Sequence, residues 1–165
     1  EELDFESDSE YYSGDESDKP TVADFIRESL EADDASFVNT PFRKAYEAYM
    51  ALYDEGWKQE DIVRSLLNSP DRMVASVTAE LSLEKYQLTV RNFEESLTTT
   101  SSWLVNFVPR AILLYADKRL EDRLGELRKA LSVTTETDIQ MNIMKEIVLL
   151  QNGQKKVKEK LKRNN

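Results

Sequence analysis

The sequence predicts an all-α fold, a small helical bundle followed by a long antiparallel helical hairpin, and three observations predict it. Four glycines and four prolines in 165 residues leave little material for the many tight turns of a β-sandwich. Apolar residues make up 40% of the chain and charged residues 33%, the balance of a folded, helix-rich protein. Residues 101–163 contain two long segments whose apolar side chains recur every three or four positions, which puts them on one stripe of a helix.

In the first segment that stripe is Leu113, Ala116, Leu120, Leu124, Leu127 and Leu131; in the second it is Ile139, Ile143, Ile147, Leu150, Val157 and Leu161. Between them lies a short polar run, Ser132 to Thr137, in which Thr135 and Asp138 form a start resembling a capping box. So short a connection forces the two helices to pack antiparallel. Arms of about 25 residues, at about 1.5 Å per residue, reach roughly 35–40 Å.

The rest of the chain follows in order. Residues 1–20 hold nine acidic side chains and one lysine, a charge of −8, while the remainder carries only −2 of the net −10. This acidic, serine-rich head is expected to be a disordered linker with too little apolar surface to order itself. An acidic interaction motif around Tyr11 and Tyr12 is the alternative. Residues 21–100 are expected to form the bundle. Thr21 caps a helix carrying Phe25, Ile26 and Leu30 on one side. Asn39 or Thr40 caps the next, with Pro41 at its start and Gly56 at its end. Phe42, Ala45, Tyr46, Tyr49 and Leu52 share a face of that helix, and its tyrosines read as core and rim. A short helix over 58–68 buries Ile62, Val63, Leu66 and Leu67. Ser69-Pro70-Asp71 opens another, which Leu81-Ser82-Leu83 interrupts before a second helical stretch. The run at Thr98 to Ser102 is expected as the loop that ends the bundle. Residues 101–165 are then the hairpin with a basic tail. Pro109 either kinks its first arm or marks the arm's start, and a hinge at that point is the functional alternative. Gly153 lies opposite Leu114 and Tyr115, which favours close packing over it; an end to the helix at Asn152-Gly153 is the other reading.

The composition closes several functional classes. Cysteine and histidine are absent, so a disulfide framework and a Cys/His zinc site are excluded, as is the commonest general acid–base residue. No phosphate-cradling glycine loop, nucleophile elbow or EF-hand loop occurs. Neither a cofactor nor a metal is expected, and carboxylates spaced three or four from Arg and Lys read as salt-bridged faces. No apolar run is long enough to span a membrane. The first residue is Glu, which suggests a piece of a longer protein.

Two surface features remain. Arg119 and Arg123 are spaced four apart on the first arm, and Met141, Met144 and Leu149 lie beside or off the packed stripe of the second. Together they form a candidate partner-binding surface. The tail, with Lys155, Lys156, Lys158, Lys160, Lys162 and Arg163 against a single Glu159, suits an acidic peptide or phosphates, or simply complements the helix dipole.

The order of parts resembles a known family. A small helical body, a helix entering a long hairpin, the turn Leu131-Ser132-Val133-Thr134-Thr135-Glu136 and a basic C-terminus are similar to the C-terminal helicase-binding domain of bacterial replicative DNA primases. The similarity spans residues 35–163. It implies a cytoplasmic bacterial protein that couples primer synthesis to the replicative hexameric helicase, with the hairpin docking on the helicase ring. It also implies a contact for the acidic C-terminal tail of single-stranded-DNA-binding protein. The catalytic and zinc-binding domains of such a primase lie outside this segment, so enzyme activity is not expected within it. The competing expectations are a generic helical coiled-coil adaptor and a nucleic-acid-binding module acting through the lysine-rich tail.

Overall fold

The computed structural model describes residues 2–5, 9, 11, 19–83 and 100–163, the side chains of 100–103 and 163 excepted. The regular elements among them are helices: α1 (Val22–Ala32), α2 (Thr40–Asp54), α3 (Gln59–Leu67), α4 (Arg72–Leu81), α5 (Thr100–Val133) and α6 (Thr137–Arg163). The fold is all-α. The chain divides into two compact units, Glu1–Ser102 and Trp103–Asn165.

In the first unit the helix starts follow the sequence signals. Thr21 accepts the Asp24 N–H at 3.1 Å, and Asn39 accepts the Phe42 N–H at 3.2 Å, so each hydroxyl or amide satisfies a donor that the helix cannot. Asp71 rather than Ser69 caps α4, accepting the Met73 N–H at 2.9 Å. Its carboxylate outcompetes the hydroxyl because it also meets the Lys44 ammonium at 2.7 Å. Gly56 closes α2 at φ +78°, a left-handed position that glycine adopts without a Cβ clash. Ile62, Leu66 and Val74 form the centre of the core, with Ala48, Tyr49, Leu52 and Tyr53 packed around them. Two faces differ from expectation. Met50, not Phe42, is the buried residue of α2, and Leu67 is exposed at the end of α3.

The acidic head also differs. Leu3 is 1% exposed and Phe5 is buried. The Leu3 N–H donates to the Pro20 carbonyl at 2.8 Å, and Glu2 bridges to Thr21. The rings of Phe5, Tyr11 and Phe25 meet pairwise at centroid distances of 5.4–5.6 Å, close enough for aromatic attraction. Phe5 and Tyr11 therefore collect on Phe25 of α1, while Glu2 and Asp4 stay exposed. Low overall hydropathy hid a local cluster. The second helical stretch expected after Leu83 lies outside the described residues, as does Tyr12.

The second unit consists of most of α5 and all of α6. α5 starts at Thr100 and passes through Pro109, so neither a loop through Ser102 nor a start at the proline is observed. Val108, Pro109, Leu124 and Leu127 are buried along it. Thr134 to Glu136 separate it from α6. The first helical hydrogen bond of α6 runs from the Gln140 N–H to the Glu136 carbonyl, and the Gln140 side-chain amide donates back to the Thr134 carbonyl at 2.6 Å. The cap is thus one residue later than a Thr135–Asp138 box, with Gln140 closing the turn. α6 continues through Gly153 to Arg163. A Cβ at Gly125 or Gly153 would meet nothing within 4 Å, so close packing over Gly153 is not the reason for the glycine.

Two stability changes follow. Ile62, 0% exposed, is irreplaceable in volume, and Ile62→Ala lowers the unfolding free energy by about 2–5 kcal/mol. Gly153→Ala, with open space for the methyl group, raises helix stability by up to about 1 kcal/mol. Urea denaturation followed by circular dichroism measures both.

Candidate partner-binding site

α5 and α6 are tied by charge. The Arg123 guanidinium donates to Glu146 from Nε at 3.1 Å and from Nη2 at 2.8 Å, and to Glu126 from Nη1 at 3.2 Å. Glu146 and then Glu126 hold its pKa above the ordinary value. Toward the other end, Lys158 lies 3.7 Å from Asp117, whose Oδ1 is buried and lacks a hydrogen bond. An earlier residue of α5 meets a later one of α6, so the helices run antiparallel in this region.

These pairs redistribute the residues expected to face a partner. Arg123 is committed to Glu146, because it flanks the stripe of Leu120, Leu124 and Leu127 just as Glu146 flanks Ile143 and Ile147. Flanking positions of paired helices are where such ion pairs form, but which acid meets Arg123 depends on the register across the turn. Arg119 is half-buried and has no ion pair among the described residues. The two arginines therefore do not make one free cationic stripe. Lys118 is bound to Glu121 and Asp122 on its own helix, which raises its pKa.

On α6 the expected apolar residues are in water. Met141 and Met144 are more than half exposed and Leu149 is 71% exposed. Val148, 57% exposed, joins them and was missed, although it follows Met144 by four and Met141 by seven. These residues lie away from the half-buried Ile143, Ile147 and Leu150. Of the tail lysines, Lys158 is engaged by Asp117. Lys155 and Lys156 are exposed and carry no ion pair among the described residues, and Lys160 is exposed. Lys145, exposed in the middle of the apolar set, has no ion pair among the described residues.

The first unit carries a polar knot of its own. The Tyr53 hydroxyl lies 2.8 Å from Asp24 Oδ2 and 2.8 Å from Thr21 Oγ1, and the Thr21 hydroxyl donates to Asp24 at 2.7 Å. Arg27 binds Asp54 at 2.6 Å and sits 5.8 Å from the centre of the Tyr53 ring. Burial pushes the Asp24 carboxyl up, but hydrogen bonds from Thr21 and Tyr53 and the Arg27 charge together outweigh it and hold it below its usual 3.8. This knot joins α1 to α2. Beside it, an open groove of about 830 Å³ is lined by Ala48, Ala51, Leu52, Trp57, Arg64 and Leu66, among others. Among the described residues no three Asp or Glu side chains converge as a metal site needs, and no helix is long and apolar enough to cross a membrane.

A family model described as a domain of unknown function (DUF8430) matches residues 5–164. No curated protein and no solved structure matches the chain.

The depressed Asp24 carboxyl has a pH consequence. Its folded pKa lies below its unfolded value, so its contribution is fully present above about pH 4 and is lost as pH falls through the folded value. Acid unfolding monitored between pH 5 and pH 2, at about the usual carboxylate range, is expected to be less steep in Asp24→Asn than in the wild type. Arg123→Ala is expected to leave the urea unfolding midpoint nearly unchanged, since the pair is solvent-exposed.

Proposed function

The chain belongs to the DUF8430 family, and we propose that it is a protein-interaction domain which couples a DNA primase to the replicative hexameric helicase. The observation that carries this reading is the outward face of α6, where Met141, Met144, Val148 and Leu149 lie in water within nine residues. A cluster of that kind stabilises an interface once a partner removes it from water. Methionine adapts to imperfect surfaces, and Lys145, Lys155 and Lys156, which have no ion pair among the described residues, speed and orient the encounter with an acidic partner. The resemblance of residues 35–163 to primase helicase-binding domains supplies the identity of the partner and the cytoplasm of a bacterium as the location. On this reading the segment has no catalytic role, and polymerisation belongs to other domains of the parent protein.

A second reading has its own observation. Lys155 and Lys156, with no ion pair among the described residues, are available to phosphates or to an acidic peptide such as the C-terminal tail of single-stranded-DNA-binding protein. Nucleic-acid binding through them would weaken steeply with salt.

Met144→Asp places a charge in the centre of the apolar set without touching the buried stripe. Binding of a fluorescently labelled chain to the replicative helicase of the same organism is expected to weaken at least tenfold, as loss of a central apolar contact does at about 1.4 kcal/mol or more. Unchanged binding removes this face from the interface. Steeply salt-dependent binding to single-stranded nucleic acid that is lost in Lys155→Glu/Lys156→Glu supports the tail reading instead.

A further inference from the structure

Residues 2–5 of the acidic head sit as an extended peptide sits on a receptor. Leu3 and Phe5 are buried while Glu2 and Asp4 are exposed, the alternation of a strand with one face covered. The Leu3 N–H donates to the Pro20 carbonyl at 2.8 Å, and Glu2 pairs with Thr21 as an antiparallel bridge. Asp4 meets Lys19 at 2.9 Å, and the Phe5 ring lies 5.6 Å from that of Phe25. Main-chain pairing along one edge, with alternate side chains buried, is a general mode of peptide recognition between chains.

The charges around this seat match the head poorly. A cavity of about 510 Å³ stays open where the head meets α1, walled by Tyr11, Lys19, Pro20, Asp24, Phe25 and Glu28 among others. Lys19 is matched by Asp4, and Asp24 by Thr21, Tyr53 and Arg27. Glu28 is exposed and has no ion pair among the described residues; the same holds for Glu31, three positions on. Three more acids, Glu6, Asp8 and Glu10, lie in the sequence between Phe5 and Tyr11, two residues whose rings both rest on Phe25. Adding negative charge beside a wall that already holds Glu28 opposes the contact that the apolar side chains make. A ligand that keeps the Leu-Asp-Phe spacing but carries bases in place of those three acids makes the same apolar and main-chain contacts, with attraction where the head has repulsion.

We propose that this face of α1, together with residues 19–21, is a docking site for an extended segment of another protein, one that carries Leu-Asp-Phe or similarly spaced apolar residues followed by lysine or arginine. The head fills the site until such a segment displaces it. The site belongs to the first unit and is independent of the partner assigned to α6. A second copy of the chain is the poorer occupant, because its head brings the same three acids.

Fluorescence anisotropy of labelled peptides titrated with the whole chain tests it. One peptide has the sequence of residues 1–11, and the other carries Glu6→Lys, Asp8→Lys and Glu10→Lys. The lysine peptide is expected to bind at least about tenfold more tightly than its parent. It is expected to lose at least about tenfold when Leu3→Ser and Phe5→Ser are made in the peptide itself. Glu28→Lys in the chain, an exposed substitution, is expected to weaken its binding by roughly threefold or more. Phe5→Ser in the chain weakens a tethered competitor whose effective concentration is on the order of millimolar, so the lysine peptide is expected to bind that variant at least about threefold more tightly. The peptide series on the wild-type chain decides the matter even where Phe5→Ser disturbs the fold. Lysine-peptide binding that ignores the loss of its Leu and Phe is plain attraction to an acidic chain, and overturns the proposal. So does a parent peptide that binds as tightly as the lysine peptide, which marks exchange of heads between copies instead, or the absence of any binding.

Discussion

Two amphipathic helices joined by three residues have one way to hide their apolar stripes, which is against each other. Most features of the second unit depend on that constraint. Arg123 comes within reach of Glu146 and Lys158 within reach of Asp117, while Leu124 and Leu127 of α5 are buried and Ile143 and Ile147 of α6 half-buried. These ion pairs are exposed and individually weak. Their effect is to choose a register among those that apolar packing alone would allow.

The same constraint decides what is left for a partner. A helix that spends one face on its neighbour offers the opposite face to solvent, and in α6 that face is not uniformly polar. Large apolar side chains in water cost nothing structurally, but they gain substantially on removal from it. Their neighbours matter equally. Arg123 and Lys158 are drawn inward to carboxylates, whereas Lys145, Lys155 and Lys156 are exposed and have no ion pair among the described residues. The first unit is different in kind. Its small core around Ile62 is supplemented by the Thr21–Asp24–Tyr53 knot and by the apolar residues of the acidic head on Phe25, which suit it to holding a shape.

Much of this was legible in the sequence. The helix starts at Thr21 and Asn39 and the end of α2 at Gly56 are local events, governed by one side chain and the donors beside it, and they read correctly from spacing. The exposure of Met141, Met144 and Leu149 followed from their angle to the isoleucine stripe. What was not legible depended on contacts distant in sequence. Phe5 looked too isolated to bury because its ring partner, Phe25, lies twenty residues on. Asp71 displaced Ser69 as a cap because Lys44 approaches it from another helix. Arg123 looked available because its competitor, Glu146, is across the turn. The glycines misled in a different way: Gly153 suggested close packing, yet open space surrounds it.

The proposal that α6 presents the interaction surface is tested most directly by hydrogen exchange of the chain with and without saturating replicative helicase. Slowed amide exchange centred on residues 139–152, with the core around Ile62 unchanged, is the predicted result. Exchange in that stretch that is the same with and without helicase, under conditions where both proteins are folded, would contradict it.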